Sequence, residues 1–153
     1  MAKVRVATEA DIEALVLLGE RLYEESSVYY EVHDFSRDKT ALSIRGLMGN
    51  STCLVLIAEQ DGEAIGYLGG YCTPQFFGYT KTAGDFSLYV APEYRGGSAF
   101  FRLLQHFEEW ATGQGAVDLA PGISTELNLE AVVSCYERLG YRRSGVILRK
   151  RIR

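Results

Sequence analysis

The stretch LYVAPEYRGGSAFFRLL, Leu88 to Leu104, restricts the fold more than any other part of the chain. Its first residues have strand character, and Pro92 ends that run because proline has no N–H to offer a ladder. Phe100, Leu103, Leu104, Phe107, Trp110 and Ala111 then recur at helical spacing, which predicts a helix from about Ser98 to Thr112. Between the two lie Arg95, Gly96, Gly97 and Ser98. Packing a core does not require those residues in that place. A strand delivers the chain, glycine backbone leaves room for close approach, and the first N–H groups of a helix are free, so the stretch has the makings of an anion site. Arg95 adds a permanent charge matched to phosphate geometry. A glycine turn with a solvent-exposed arginine has the same sequence, so the stretch alone leaves both readings open.

The remaining pattern sets the class. VRVA reads as a short strand, and Thr8 and Asp11 offer caps for a helix carrying Ile12, Leu15, Val16, Leu18 and Leu22 on one face. SSVYYEVHDFS is a polar and aromatic connection, and a second helix runs from roughly Arg37 to Leu47, ended by Gly49-Asn50. CLVLIAE and AIGYLGGYCT are strands about the Asp61-Gly62 hairpin signal, and PQFFGYTKTAG leads to a further strand, DFSLYVA. AVDLAP is a short strand, LNLEAVVSCYERLG a helix, and YRRSGVILRKRI two closing strands about Ser144-Gly145. The order predicts one α/β (α+β) domain over residues 1–153, with a mixed, mostly antiparallel central sheet flanked by about four helices. A chain of 153 residues is long enough to bury a real core.

Composition narrows the function. Net charge is −4, which disfavours a general nucleic-acid binder, and no apolar run approaches the roughly 20 residues of a membrane span. MAKVRVATEADIEALV lacks the order of a signal peptide, and Cys53, Cys72 and Cys135 form no CxxC pair. Reduced thiols in a cytoplasmic protein, with no metal site, are the expectation. Charge is uneven: residues 1–38 hold nine acids against four bases, while the tail from Arg142 has six bases and no acid. That tail reads as a guarded strand edge or as a surface for an anionic ligand.

With these residues in view, the chain resembles the GCN5-related N-acetyltransferases, the GNAT superfamily. LYVAPEYRGG matches the lead-in to that family's acetyl-CoA loop, Q/R-x-x-G-x-G/A, and CYERLGY is similar to its FYEKLGF at the expected distance downstream. The predicted element order fits from end to end. If Arg95 takes the first loop position, Ser98 and Phe100 stand where glycines belong; if Tyr94 takes it, Gly97 and Ala99 fit. Either way the resemblance assigns Arg95, Gly96, Gly97, Ser98 and Ala99 to the pyrophosphate. It assigns Leu88, Tyr89 and Val90 to the strand whose backbone serves the cofactor, and Asn128 to the pantetheine arm, one residue further from the family tyrosine than is usual.

The implied reaction is transfer of an acetyl group from acetyl-CoA to a primary amine of a small molecule or protein, with no metal. Tyr136 matches the family's acid for the departing sulfur, and Asp85 is the implied base, with His33 as runner-up. Tyr136 also fits a core tyrosine, and Asp85 an ordinary strand-end aspartate. The first helices wall the acceptor in this family; here they carry Tyr23, Tyr29, Tyr30 and His33 beside Glu24, Glu25, Glu31 and Asp34, which suits a cationic amine. The family often dimerises, and the closing strands are available to pair across two chains. The alternative from another class is a non-catalytic acetyl-CoA-binding sensor or adaptor.

Overall fold

Alternating apolar residues with glycine and aspartate at the breaks draw the middle of the chain into antiparallel strands. A computed structural model, describing residues 1–153, has β1 (Lys3–Val6), β2 (Cys53–Gln60), β3 (Glu63–Pro74), β4 (Lys81–Val90) and β5 (Ala116–Leu119). They lie in the order β1-β2-β3-β4-β5; the first four are antiparallel neighbours and β5 runs parallel to β4. The helices are α1 (Ile12–Glu25), α2 (Ser27–Tyr30), α3 (Arg37–Met48), α4 (Ala99–Gly113) and α5 (Leu129–Arg138). This is the mixed, mostly antiparallel α/β architecture predicted. The single-turn α2 falls in a stretch expected to be a plain connection.

Local chemistry explains the elements. Asp61 and Gly62 turn β2 into β3 with φ of 52° and 80°, the left-handed pair that matches the twist of a two-residue hairpin. Ser36 starts α3 by accepting from the Lys39 N–H at 3.1 Å. β2 is buried at consecutive positions because helices cover both of its faces. Leu54, Leu56 and Ala58 join Leu103, Leu104, Phe107 and Ala111 of α4 in the main core. Val55 and Ile57 meet Leu15 of α1 and Ile44 and Leu47 of α3 on the other side. Gly70 decides how closely α4 approaches: a Cβ there would come within 3.0 Å of the Phe107 ring.

The sheet opens between β4 and β5. Their pairing covers only Lys81 to Ala83, with one further bond from the Ala120 N–H to the Ala83 carbonyl at 2.8 Å. On the opposite edge, Gly69 and Gly70 face Ser87 and Asp85, leaving Phe86 as the extra residue of a bulge that bends β4. From Gly84 to Val90 no strand lies against the β5 side of β4.

The two closing strands do not form. Residues 141–153 take no regular structure, and from Arg142 onward they make no backbone–backbone hydrogen bond. Apolar alternation needs a partner edge before it becomes a strand. Here arginine side chains make the tail's contacts instead, Arg143 to Glu130 and Arg149 to the Ser124 carbonyl.

Candidate active site

A short 3₁₀ turn, Pro92–Tyr94, carries the chain off β4, and Arg95 follows in extended conformation. Gly96 has φ of 88°, where a side chain would be strained, and a Cβ on it would project into open space. The N–H groups of Gly96 through Phe101 find no acceptor in the protein. They lie at the positive end of a four-turn helix, and a diphosphate, which only accepts hydrogen bonds, fits that run of donors. The Ser98 hydroxyl oxygen accepts from the Ala2 N–H at 3.3 Å, which leaves its own proton free to donate. Phe100, at a position where the family loop has glycine in one register, turns inward and packs edge-on against Tyr136 with centroids 5.2 Å apart. Its bulk therefore goes into the core.

Arg95, which the resemblance assigns to the pyrophosphate, has its guanidinium held by protein partners. Its Nη1 and Nη2 donate to Glu25 at 2.5 and 2.9 Å, and its Nε to the Val90 carbonyl at 2.9 Å. The guanidinium also lies 5.4 Å from the Tyr89 ring centre. Tyr89 faces α1, where it packs with Leu18 and Leu22 and donates its hydroxyl to Glu25 at 2.9 Å. Leu88 and Val90 face the main core. Ala91 donates to Ile65 of β3, so by alternation Leu88 and Val90 turn their backbone groups toward the open edge of β4.

Tyr136 and Asp85 come together beside that edge. Tyr136 is 6% exposed and held by the rings of Phe100 and Tyr141. Its hydroxyl has no hydrogen-bond partner in the protein yet is not sealed off. Tyr136 is also among the residues lining a groove of about 1340 Å³ between the chain after β5, α5 and the tail, a groove that Asp85 and the Gly96–Phe101 loop do not line. Burial drives the phenol's pKa well above its ordinary value, and the neighbouring Asp85 charge adds to the rise. Burial likewise raises the Asp85 carboxyl, against the pull of its hydrogen bond from the Gly122 N–H, 2.8 Å long. That bond joins β4 to the segment after β5.

The predicted acceptor wall divides. Tyr29 crosses to the far side, its hydroxyl 3.3 Å from Ser124 Oγ. Tyr23 donates to the His33 carbonyl at 2.7 Å and packs on Phe35. Tyr30 and the His33 ring are exposed and unbonded. Glu20 and Glu25 are paired with Arg37 and Arg95, whereas Glu24, Glu31 and Asp34 have no ion pair. Asn128 caps α5 in the left-handed conformation, φ 48°, with its side chain exposed and free. No group of three or more His, Cys, Asp or Glu side chains is arranged to hold a metal ion. Sequence reasoning missed fully buried Ser26, which donates to the Thr125 carbonyl at 2.7 Å, and Glu108, which accepts from the Tyr141 hydroxyl at 2.7 Å. Separations of 99 and 33 residues leave no local signal for either contact.

Comparison with known families places the chain. The model of the acetyltransferase (GNAT) family matches residues 19–141. The chain belongs to that family. Among solved structures, this GNAT protein is similar to a transcriptional regulator from Bacillus halodurans C-125, with 17% identity over 99% of this chain and 100% of that one, TM-score 0.80. It is similar to the aminoglycoside acetyltransferase AAC(6')-Iy bound to a bisubstrate analogue, CoA-S-monomethyl-acetylneamine, with 17% identity over 100% and 99%, TM-score 0.80. It also resembles glucosamine-6-phosphate N-acetyltransferase from Arabidopsis thaliana, with 12% identity over 98% and 97%, TM-score 0.76. At these identities the likeness is one of fold. The matched family is one of acetyltransferases, and AAC(6')-Iy has also been solved in complex with CoA.

Proposed function

We propose that the chain, acting as one domain, is an N-acetyltransferase that moves the acetyl group of acetyl-CoA directly to a primary amine, on a small molecule or a protein. The observation that carries this reading is the free hydroxyl of buried Tyr136 beside Asp85, at the open edge of β4 that leads to the donor-rich loop. The loop N–H groups from Gly96 to Phe101 and the Ser98 hydroxyl would hold the diphosphate, and Asn128 the pantetheine arm. Acetyl-CoA supplies an acetyl thioester open to attack by a neutral amine.

An alkyl amine of pKa about 10.4 is almost wholly protonated at pH 7. Asp85, with its pKa raised by burial, is a stronger base than an ordinary aspartate and takes a proton from the ammonium, directly or through water. An outward N–H of Leu88 or Val90 would be available to donate to the thioester carbonyl oxygen. Tyr136 stays protonated, because its pKa is raised further above that of a thiol, about 8.5. It would therefore donate a hydrogen bond to the departing sulfur, and the second proton lost by the nitrogen as the amide forms would pass through solvent to the thiolate. Tyr29, Glu24, Glu31 and Asp34 suit a cationic acceptor.

The test is a thermal melt with acetyl-CoA, CoA or AMP, followed by turnover on a panel of amines that includes amino sugars, polyamines and lysine peptides. Cofactor at about 100 times its Kd adds roughly 2.7 kcal/mol, a shift of several degrees. A shift with both CoA species and not AMP, with turnover on any amine, supports the reading. A shift without turnover points to the sensor or adaptor. No shift at millimolar cofactor sinks the acetyl-CoA site itself.

A further inference from the structure

We infer that Arg95 is a strut of the phosphate loop and not a phosphate ligand: Glu25 holds its guanidinium and so presets the loop for binding by backbone N–H groups. The inference rests on the acetyl-CoA reading of that loop. Three of the guanidinium's five N–H donors are committed, two to Glu25 and one to the Val90 carbonyl. Glu25 also takes the Tyr89 hydroxyl at 2.9 Å. Three segments meet in this knot: the last residue of α1, the end of β4 and the first residue of the loop.

Two physical consequences follow. First, the pair is largely self-neutralised, so Arg95 offers a phosphate little net charge. Pulling it away would strand a carboxylate that is only 25% exposed. Second, the residues after Arg95 are Gly96 and Gly97, and glycine is the residue type with the most backbone freedom to lose. A loop of that composition loses backbone entropy when it closes on a ligand, and a fixed residue at its entrance removes part of that loss beforehand. Arg95 therefore raises cofactor affinity without touching the cofactor. Burial pushes the Glu25 carboxyl up, but the bonds from Arg95 and Tyr89 outweigh it and keep the group ionised.

The experiment is calorimetric binding of CoA to the full chain and its variants across a salt series, each variant first shown folded at the assay temperature. For a strut, Glu25→Gln weakens CoA by about tenfold. Arg95→Gln weakens it similarly but keeps the wild-type dependence of log Kd on log salt. Arg95→Lys, which retains charge but not the bidentate fork, behaves like Arg95→Gln. Tyr89→Phe, the mildest variant, weakens binding in the same direction by a smaller factor. Were Arg95 a phosphate ligand restrained by Glu25, Glu25→Gln would tighten CoA, Arg95→Gln would flatten the salt dependence, and Arg95→Lys would rescue it. Any of those results overturns the strut while leaving the acetyl-CoA site standing. A wild-type chain that binds no CoA overturns both.

Discussion

Two side chains carry opposite burdens in the proposed chemistry, and each makes a separable prediction. Tyr136→Phe removes one hydroxyl from a pocket of aromatic rings and leaves the packing intact. Turnover should fall about 100-fold while CoA binding stays within about twofold, as measured by steady-state kinetics beside calorimetry. Full turnover in that variant would remove Tyr136 from the mechanism. Asp85 differs because its carboxyl is raised by burial. The stability contributed by its protonated form is complete below the ordinary value of about 3.9 and is lost as pH rises through the folded value. Ionised Asp85 thus opposes folding at pH 7. Asp85→Asn should lose turnover about 100-fold yet melt no lower than wild type at pH 7. Its advantage should shrink as pH falls to 4. A variant that melts well below wild type at pH 7 would show that Asp85 is a structural carboxylate.

At the scale of elements, the joints are made by a few long side chains. Asp11 joins β1 to the start of α1: it accepts from Arg5 at 2.7 and 2.8 Å and from the Thr8 N–H at 2.7 Å. The Arg5 hydrogen bonds hold its pKa down to about 2. The stability this supplies is present above the ordinary carboxylate range and lost as pH falls through about 2. Asp11→Asn should lower the melting temperature at pH 7, with the deficit closing between pH 4 and pH 2; a deficit that ignores pH would rule out the ion pair as its source. α4 depends on burial instead. Phe107→Ala empties the centre of the main core and should cost about 3–5 kcal/mol, read by denaturant titration. A cost below about 1 kcal/mol would mean that α4 does not seat on Gly70 as described.

In the whole molecule, the α1–α2 corner spans the opening of the sheet. Glu25 reaches the loop before α4, while Ser26 and Tyr29 reach Thr125 and Ser124 beyond β5. Both walls of the cleft are therefore tied to one short segment. Ser26→Ala should cost about 1 kcal/mol. Hydrogen exchange should then quicken in residues 120–128, because the variant frees that wall without touching the core. Uniform exchange across the chain would show that the corner does not restrain the cleft.

Much of this was legible in local pattern. Period and turn chemistry are short-range properties, so four of the strands, the Asp85–Val90 part of β4, the long helices and the Asp61-Gly62 turn could be read from neighbouring residues. Lys81–Gly84, expected to be connection, is strand because it pairs with β3 and, at Lys81–Ala83, with β5. The Arg95 to Ala99 loop was legible for the same reason: strand, glycines and helix start are contiguous. Tail alternation misled, because alternation makes a strand only where the segment is brought against a sheet edge, and Tyr141–Arg153 is not laid against the free side of β5. What Arg95 does also lay outside the sequence. Its partner Glu25 is 70 positions away, and only folding α1 against the end of β4 brings the two charges together. The meeting of Asp85 with Tyr136 has the same origin. Sequence alone determined the long helices, most of the five strands and the donor-rich loop, since these arise from contacts a few residues apart. Tertiary structure decided which charges are spent on one another and which stay free for chemistry, since that depends on distances set by packing across the whole sheet.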